Sequence, residues 1–159
     1  MSEKTQDIGK CQYPDACAQA VLELAQNTRR QLCLLSPTLD PALFDSEDLA
    51  RALVALLRRH RGARVHILIN DNTLLVKRKH QLALIAQRLS SNIEIRILAE
   101  HPSWRSDTVV IADKHSYLHL QDQARYGQGK LDTPALTQSH VQRFTELWNA
   151  ATVDPEFRV

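Results

Sequence analysis

Between residues 101 and 119 the chain carries His101, Asp113, His115 and His119. Imidazole and carboxylate are the groups from which nucleophilic and general acid–base catalysis is built, since imidazole titrates near neutrality and a carboxylate can orient it. On an extended strand His115 and His119 would face the same side but stand roughly 13 Å apart, from the strand rise, too far to chelate one metal ion without a bend. Asp113 also fits an ordinary turn, where aspartate accepts backbone hydrogen bonds. Two basic groups suggest anion recognition instead: Arg58, Arg59, Arg61 and Arg64 in one stretch, Lys77, Arg78 and Lys79 in another. A third set, Arg105, Arg125, Tyr126 and Lys130, lies in polar segments on either side of the histidines and could line a pocket for an anionic ligand.

Other chemistries are excluded by what is missing. The sequence has four glycines, Gly9, Gly62, Gly127 and Gly129, and from those positions neither G-x-G-x-x-G nor a Walker A loop can be assembled. H-E-x-x-H, G-x-S-x-G and C-x-x-C are absent as well. Cys11, Cys17 and Cys33 have no metal-ligand spacing and read as small buried apolar residues in a reducing cytoplasm. No cofactor or metal is expected. No run approaches the roughly 18 apolar residues of a membrane span, and the polar start of the chain is no signal peptide. With a net charge of +2 and 5% aromatic residues, extensive nucleic-acid binding is not demanded and a base-stacking platform is unsupported.

The elements that must position these residues are marked by periodicity. Pro14 suits a first helical turn, followed by Ala18, Val21, Leu22 and Ala25 at helical spacing. Leu32-Cys33-Leu34-Leu35 reads as a buried strand. Ser46 caps a second helix whose stripe is Leu49, Leu53, Leu56 and Leu57, with Arg58, Arg59 and Arg61 at its end and Gly62 as its stop. Val65 to Ile69 is a strand. A third helix carries Leu75, Leu82, Ile85, Ala86 and Leu89, with Lys77, Arg78 and Lys79 near its start, where cations are unfavourable unless held for a partner. Ile93, Ile95 and Ile97 alternate as a strand, and residues 108–112 and 116–120 form a hairpin. Residues 121–137 read as a long polar loop, and Val141, Phe144, Leu147 and Trp148 mark a last helix. The expected architecture is one α/β domain over residues 13–152, between a loose segment at 1–12 and a tail at 153–159. Its sheet would be mixed and mainly parallel, of about five strands with helices on both faces.

This layout resembles one half of a phospholipase D superfamily protein. The resemblance rests on the helix end and strand Arg61-Gly62-Ala63-Arg64-Val65-His66-Ile67-Leu68-Ile69, on the helix and strand after it to Leu98, and on Thr108-Val109-Val110-Ile111-Ala112-Asp113 followed by a strand and a helix with Trp148. It covers roughly residues 15 to 150. The family's chemistry sits in H-x-K-x-x-x-x-D, ahead of a Gly-Ser pair. Counting back from Asp113, the His position is Ser106 and the Lys position is Thr108, and Leu120-Gln121 stands where the Gly-Ser pair is expected. Serine has neither the pKa nor the nucleophilicity of imidazole, and threonine supplies no positive charge.

The resemblance therefore implies a non-catalytic binding or regulatory module, a homodimer that builds one cleft from two copies, recognising an anionic or phosphate-containing ligand. The ligand site would draw on Arg105, Ser106, Thr108, Asp113, Arg125 and Lys130, and the dimer seam could use Phe144, Leu147 and Trp148. A protein partner or separate catalytic domain is compatible with it. Two alternatives stand beside it: a phosphodiester-processing enzyme with an altered site at Asp113 and His115 or His119, and a nucleic-acid-binding regulator using Arg61, Arg64, Lys77, Arg78 and Lys79.

Overall fold

Leu32, Leu34 and Leu35 are each at most 1% exposed, because the strand that carries them is covered on both faces and on both edges. In the computed structural model, which describes residues 8–157, the order is β1 (Gly9–Gln12), α1 (Asp15–Asn27), β2 (Gln31–Leu35), α2 (Pro41–Phe44), α3 (Glu47–Arg59), β3 (Arg64–Ile69), α4 (Thr73–Arg78), α5 (Gln81–Arg88) and β4 (Ile93–Ile97). There follow β5 (Thr108–Ala112), β6 (Ser116–Leu120), β7 (Tyr126–Lys130), α6 (Pro134–Ala150), β8 (Thr152–Val153) and a single 3-10 turn (Pro155–Phe157).

The α/β class and the helices on both faces are as expected. The sheet differs from expectation in two respects. It has eight strands, in the order β1-β7-β6-β5-β2-β3-β4-β8, and it is mostly antiparallel. Only β2–β3 and β3–β4 run parallel; the other neighbours are antiparallel. The βαβ units contribute just the middle of the sheet, and the three added strands are short or rich in glycine. Gly9–Gln12, expected to be loose, is an edge strand on β7, while Thr152–Val153 pairs with β4 at the other edge and Asp154 is fully buried. Residues 1–7 lie outside the described residues.

Strand β7 was hidden by its own sequence, Tyr126-Gly127-Gln128-Gly129-Lys130, since glycine is depleted in strands. Here close approach requires it. A Cβ on Gly129 would stand 2.8 Å from the Ile8 side chain and 3.0 Å from the Tyr117 carbonyl.

Alternation along the strands divides the core. Leu32, Leu34, Val65, Ile67, Val110 and Leu118 face α1, α3 and α5, whereas Cys33, Leu35, Leu68, Val109 and Ile111 face α6. Phe144, Leu147 and Trp148 belong to that second core, at most 8% exposed, so they are not available as a dimer seam. Ser46 caps α3 as expected, accepting a hydrogen bond from the Leu49 N–H at 3.0 Å. The expected third helix is two helices. Lys79 adopts the left-handed conformation (φ 55°) and ends α4, and the His80 Nδ1 then accepts from the Leu82 N–H to start α5.

Candidate ligand-binding cleft

Strand β5 runs antiparallel to β2, so the start of β5 lies beside the end of β2, with Leu35 opposite Val109. The chain leaves β2 through Ser36, Pro37 and Thr38 and enters β5 through Ser106, whose φ of 56° turns it into the strand. Thr108 pairs with Leu120 at the end of β6. Between these segments opens a cavity of about 660 Å³, walled by residues 36–38, Ser106, Thr108 and residues 120–126, with Gln12, Tyr13 and Asp40 closing one side. It sits at the carboxyl end of β2, where open α/β sheets commonly bind ligands.

Its electrostatics are set by few groups. The Tyr13 hydroxyl donates to Asp40 Oδ2 at 2.7 Å, and that carboxylate, helped by burial, pushes the phenol up to about 12. Asp40 Oδ1 also accepts from the Ala42 N–H at the start of α2. Arg125 is the one cation among the described lining residues, against Asp40 and Asp122. The lining includes no histidine or lysine among those residues. Tyr126 at the rim is 46% exposed, with the Lys10 ammonium 4.3 Å from its ring centroid.

Of the six residues expected to form the ligand site, the structure brings three together here: Ser106, Thr108 and Arg125. Arg105 and Lys130 are not part of the lining. Asp113 is at the far end of β5, about 17 Å from Thr108 by the strand rise. Its carboxylate accepts from the backbone N–H groups of Arg29, Arg30 and Gln31 at 2.8, 2.7 and 3.0 Å. It pins the loop between α1 and β2 rather than serving the cleft.

The histidines do not converge either. His101 accepts from the Ser103 N–H through Nδ1. His115 lies 2.8 Å from Ser116 Oγ and 3.9 Å from Asp113. His119 faces α6, with Nε2 2.8 Å from Asp107 Oδ2. The same Asp107 oxygen accepts from Arg143, and the His140 ring stands 5.0 Å from His119. Burial works against ionisation of Asp107, but the His119 and Arg143 hydrogen bonds outweigh it and hold the carboxyl below its usual range. Burial, with the His119 and Arg143 charges, lowers His140 to about 4. Spacing could not reveal this cluster, because Asp107, His119 and Arg143 come from a loop, a strand and a helix. An enzyme pairing Asp113 with His119 is incompatible with this geometry.

The basic patch also comes apart. Lys77 and Arg78 occupy the last turn of α4, where the helix dipole favours cations, and Arg78 pairs with Asp45 at 3.4 Å. Arg64 begins β3 and α4 follows its end, so the two groups flank opposite ends of a strand roughly 17 Å long.

A family model described as a domain of unknown function, DUF7931, matches residues 13–159. The chain belongs to that family. No curated protein matches it. Among solved structures, TrmBL2, an archaeal chromatin protein whose structure shows a novel mode of DNA binding, has a TM-score of 0.68 at 15% identity, covering 95% of this chain and 55% of that one. The DUF7931 chain thus matches about half of that protein. Nuc from Salmonella typhimurium, a phospholipase D family member, has a TM-score of 0.66 at 19% identity over 94% of this chain and 97% of its own. NucT from Helicobacter pylori reaches 0.60 at 12% identity, covering 91% and 97%. At these identities the likeness is one of fold. The DUF7931 chain has a phospholipase D-like fold.

Proposed function

We propose that this DUF7931 protein is a non-catalytic phospholipase D-like binding module, working as a homodimer, that holds a phosphate-containing anion in the cleft at the start of β5. One observation carries this reading. Ser106 and Thr108, the positions that the resemblance assigns to the family's His and Lys, lie on the wall of the 660 Å³ cavity. The cleft so placed keeps room for a ligand but offers no imidazole to attack phosphorus and no ammonium at the second position. Arg125 is the anion's partner. In such a homodimer, two copies with their clefts facing would bring two such arginines to one ligand.

Three measurements on the full chain test this. Bis-p-nitrophenyl phosphate should not be turned over, with or without divalent metal. Inorganic phosphate, a mononucleotide, glycerol phosphate and a short DNA duplex are then compared by thermal shift at low and high salt. A ligand at 100 times its Kd adds about 2.7 kcal/mol, so one of the small phosphates should give a salt-sensitive rise that Arg125→Ala removes. Sedimentation should report a dimer. Turnover abolished by Ser106→Ala would overturn the reading, as would a response to DNA alone or a phosphate response indifferent to Arg125→Ala.

A further inference from the structure

On the opposite side of the sheet from the cleft, α6 bridges β2, β3 and β5 and leaves a second cavity beneath it, of about 190 Å³. Its walls are mainly apolar: Ile111, Val141, Phe144 and Trp148, with the Cys33 thiol among them. Trp148 is stacked on His66 at 4.3 Å between centroids, and the Arg96 guanidinium lies 4.3 Å from its ring centroid. Four polar side chains also line the space, Gln31, His66, Lys114 and Thr145. The Gln31 Nε2 lies 3.2 Å from His66 Nδ1. The amide therefore donates to that nitrogen and leaves the imidazole proton on Nε2. Burial lowers the His66 pKa, so the ring is neutral at physiological pH. Lys114 is thus the only charged residue among the described lining residues.

An empty packing void is apolar all round. This one combines apolar walls with a few polar groups and one charge, the pattern of a small-ligand site. A volume of 190 Å³ equals the share of about six waters in the liquid, room for a compact ligand and too little for a nucleotide. One cation matches one negative charge.

We infer that the cavity between α6 and the sheet binds a small apolar monocarboxylate, with the hydrocarbon body against Ile111, Val141, Phe144 and Trp148 and the carboxylate at Lys114.

Trp148 in the wall makes binding visible. In a Trp104→Phe background, which leaves Trp148 as the only indole, the full chain is titrated at pH 7 with benzoate and with benzyl alcohol. Emission and thermal unfolding are both followed. Benzoate should saturate and bind more tightly than the alcohol. Lys114→Gln should weaken benzoate about two- to fivefold, as expected of an exposed charge pair, and leave the alcohol unchanged. Val141→Phe fills the cavity and should abolish binding of both. Should that variant fail to fold, Thr145→Trp, at an exposed position on the cavity mouth, should block entry instead, followed by the benzoate-induced thermal shift. Equal affinity for acid and alcohol would overturn the carboxylate assignment. Absence of saturable binding up to about 10 mM, or binding untouched by a folded blocking variant, would overturn the site.

Discussion

A carboxylate that accepts three backbone N–H groups holds its loop in place, and Asp113 does this for residues 29–31. Charged hydrogen bonds of this kind are worth about 1.5–3 kcal/mol, and the side chain is only 10% exposed. Asp113→Ala should therefore destabilise the chain by about 2–3 kcal/mol in urea unfolding while leaving any phosphate affinity of the cleft unchanged. Lost affinity with unchanged stability would mean that Asp113 serves the ligand after all. His140 gives a pH dependence of definite sign. The unfolded ring takes its proton at about 6.5 and the folded ring at about 4. Its contribution is complete above pH 6.5 and is lost as the pH falls from there toward 4, by about 1–3 kcal/mol. His66 and His80 are lowered too, so the test is a difference. Between pH 7 and 4 the wild type should lose more unfolding free energy than His140→Gln does. Parallel curves would contradict this. At this scale the sequence grouped Ser106, Thr108 and Arg125, and the structure lines one cavity with all three. The sequence misplaced Asp113 because spacing was counted without the strand rise: five residues along β5 reach the other end of the sheet.

At the scale of elements, local signals succeeded where side-chain pattern alone determines structure. Ser46, the acidic first turn and the leucine stripe fix α3, and the apolar runs of β2 and β3 need only burial. The signals failed where backbone demands override pattern. In β7, glycines are there for closeness. Between α4 and α5, the apolar positions from Leu75 to Leu82 keep a helical look across a break, so Lys77 and Arg78 seemed to open a helix that they in fact close. Lys79, left-handed at that break, has a Cβ in a costly conformation. Lys79→Gly should stabilise the chain by about 1 kcal/mol, read as a raised thermal midpoint. A drop would mean that the lysine side chain contributes more than its backbone costs.

Over the whole molecule, the sheet separates two cavities, the cleft beside the α1–α3 layer and the space under α6. The middle strands β2, β3 and β4 pair through crossovers between neighbours in sequence, which is why the alternating pattern suggested a small parallel sheet. The outer strands are recruited from far away, and nothing local announces such pairing. Gly9 meets Gly129 and Gln12 meets Tyr126. Amide hydrogen exchange should accordingly be slowest in β2 and β3 and fastest among the strands in β1 and β8, the short edges with fewest contacts. Protection of β1 equal to that of β2 would contradict this. The β1–β7 pairing also has a consequence for the order of events as the chain is made. Contacts between distant segments must bear the entropy of closing a long loop before they repay it. Residues 9–12 emerge from the ribosome early and have no partner strand until residues 126–130 have followed them, so this early segment waits longest and docks among the last.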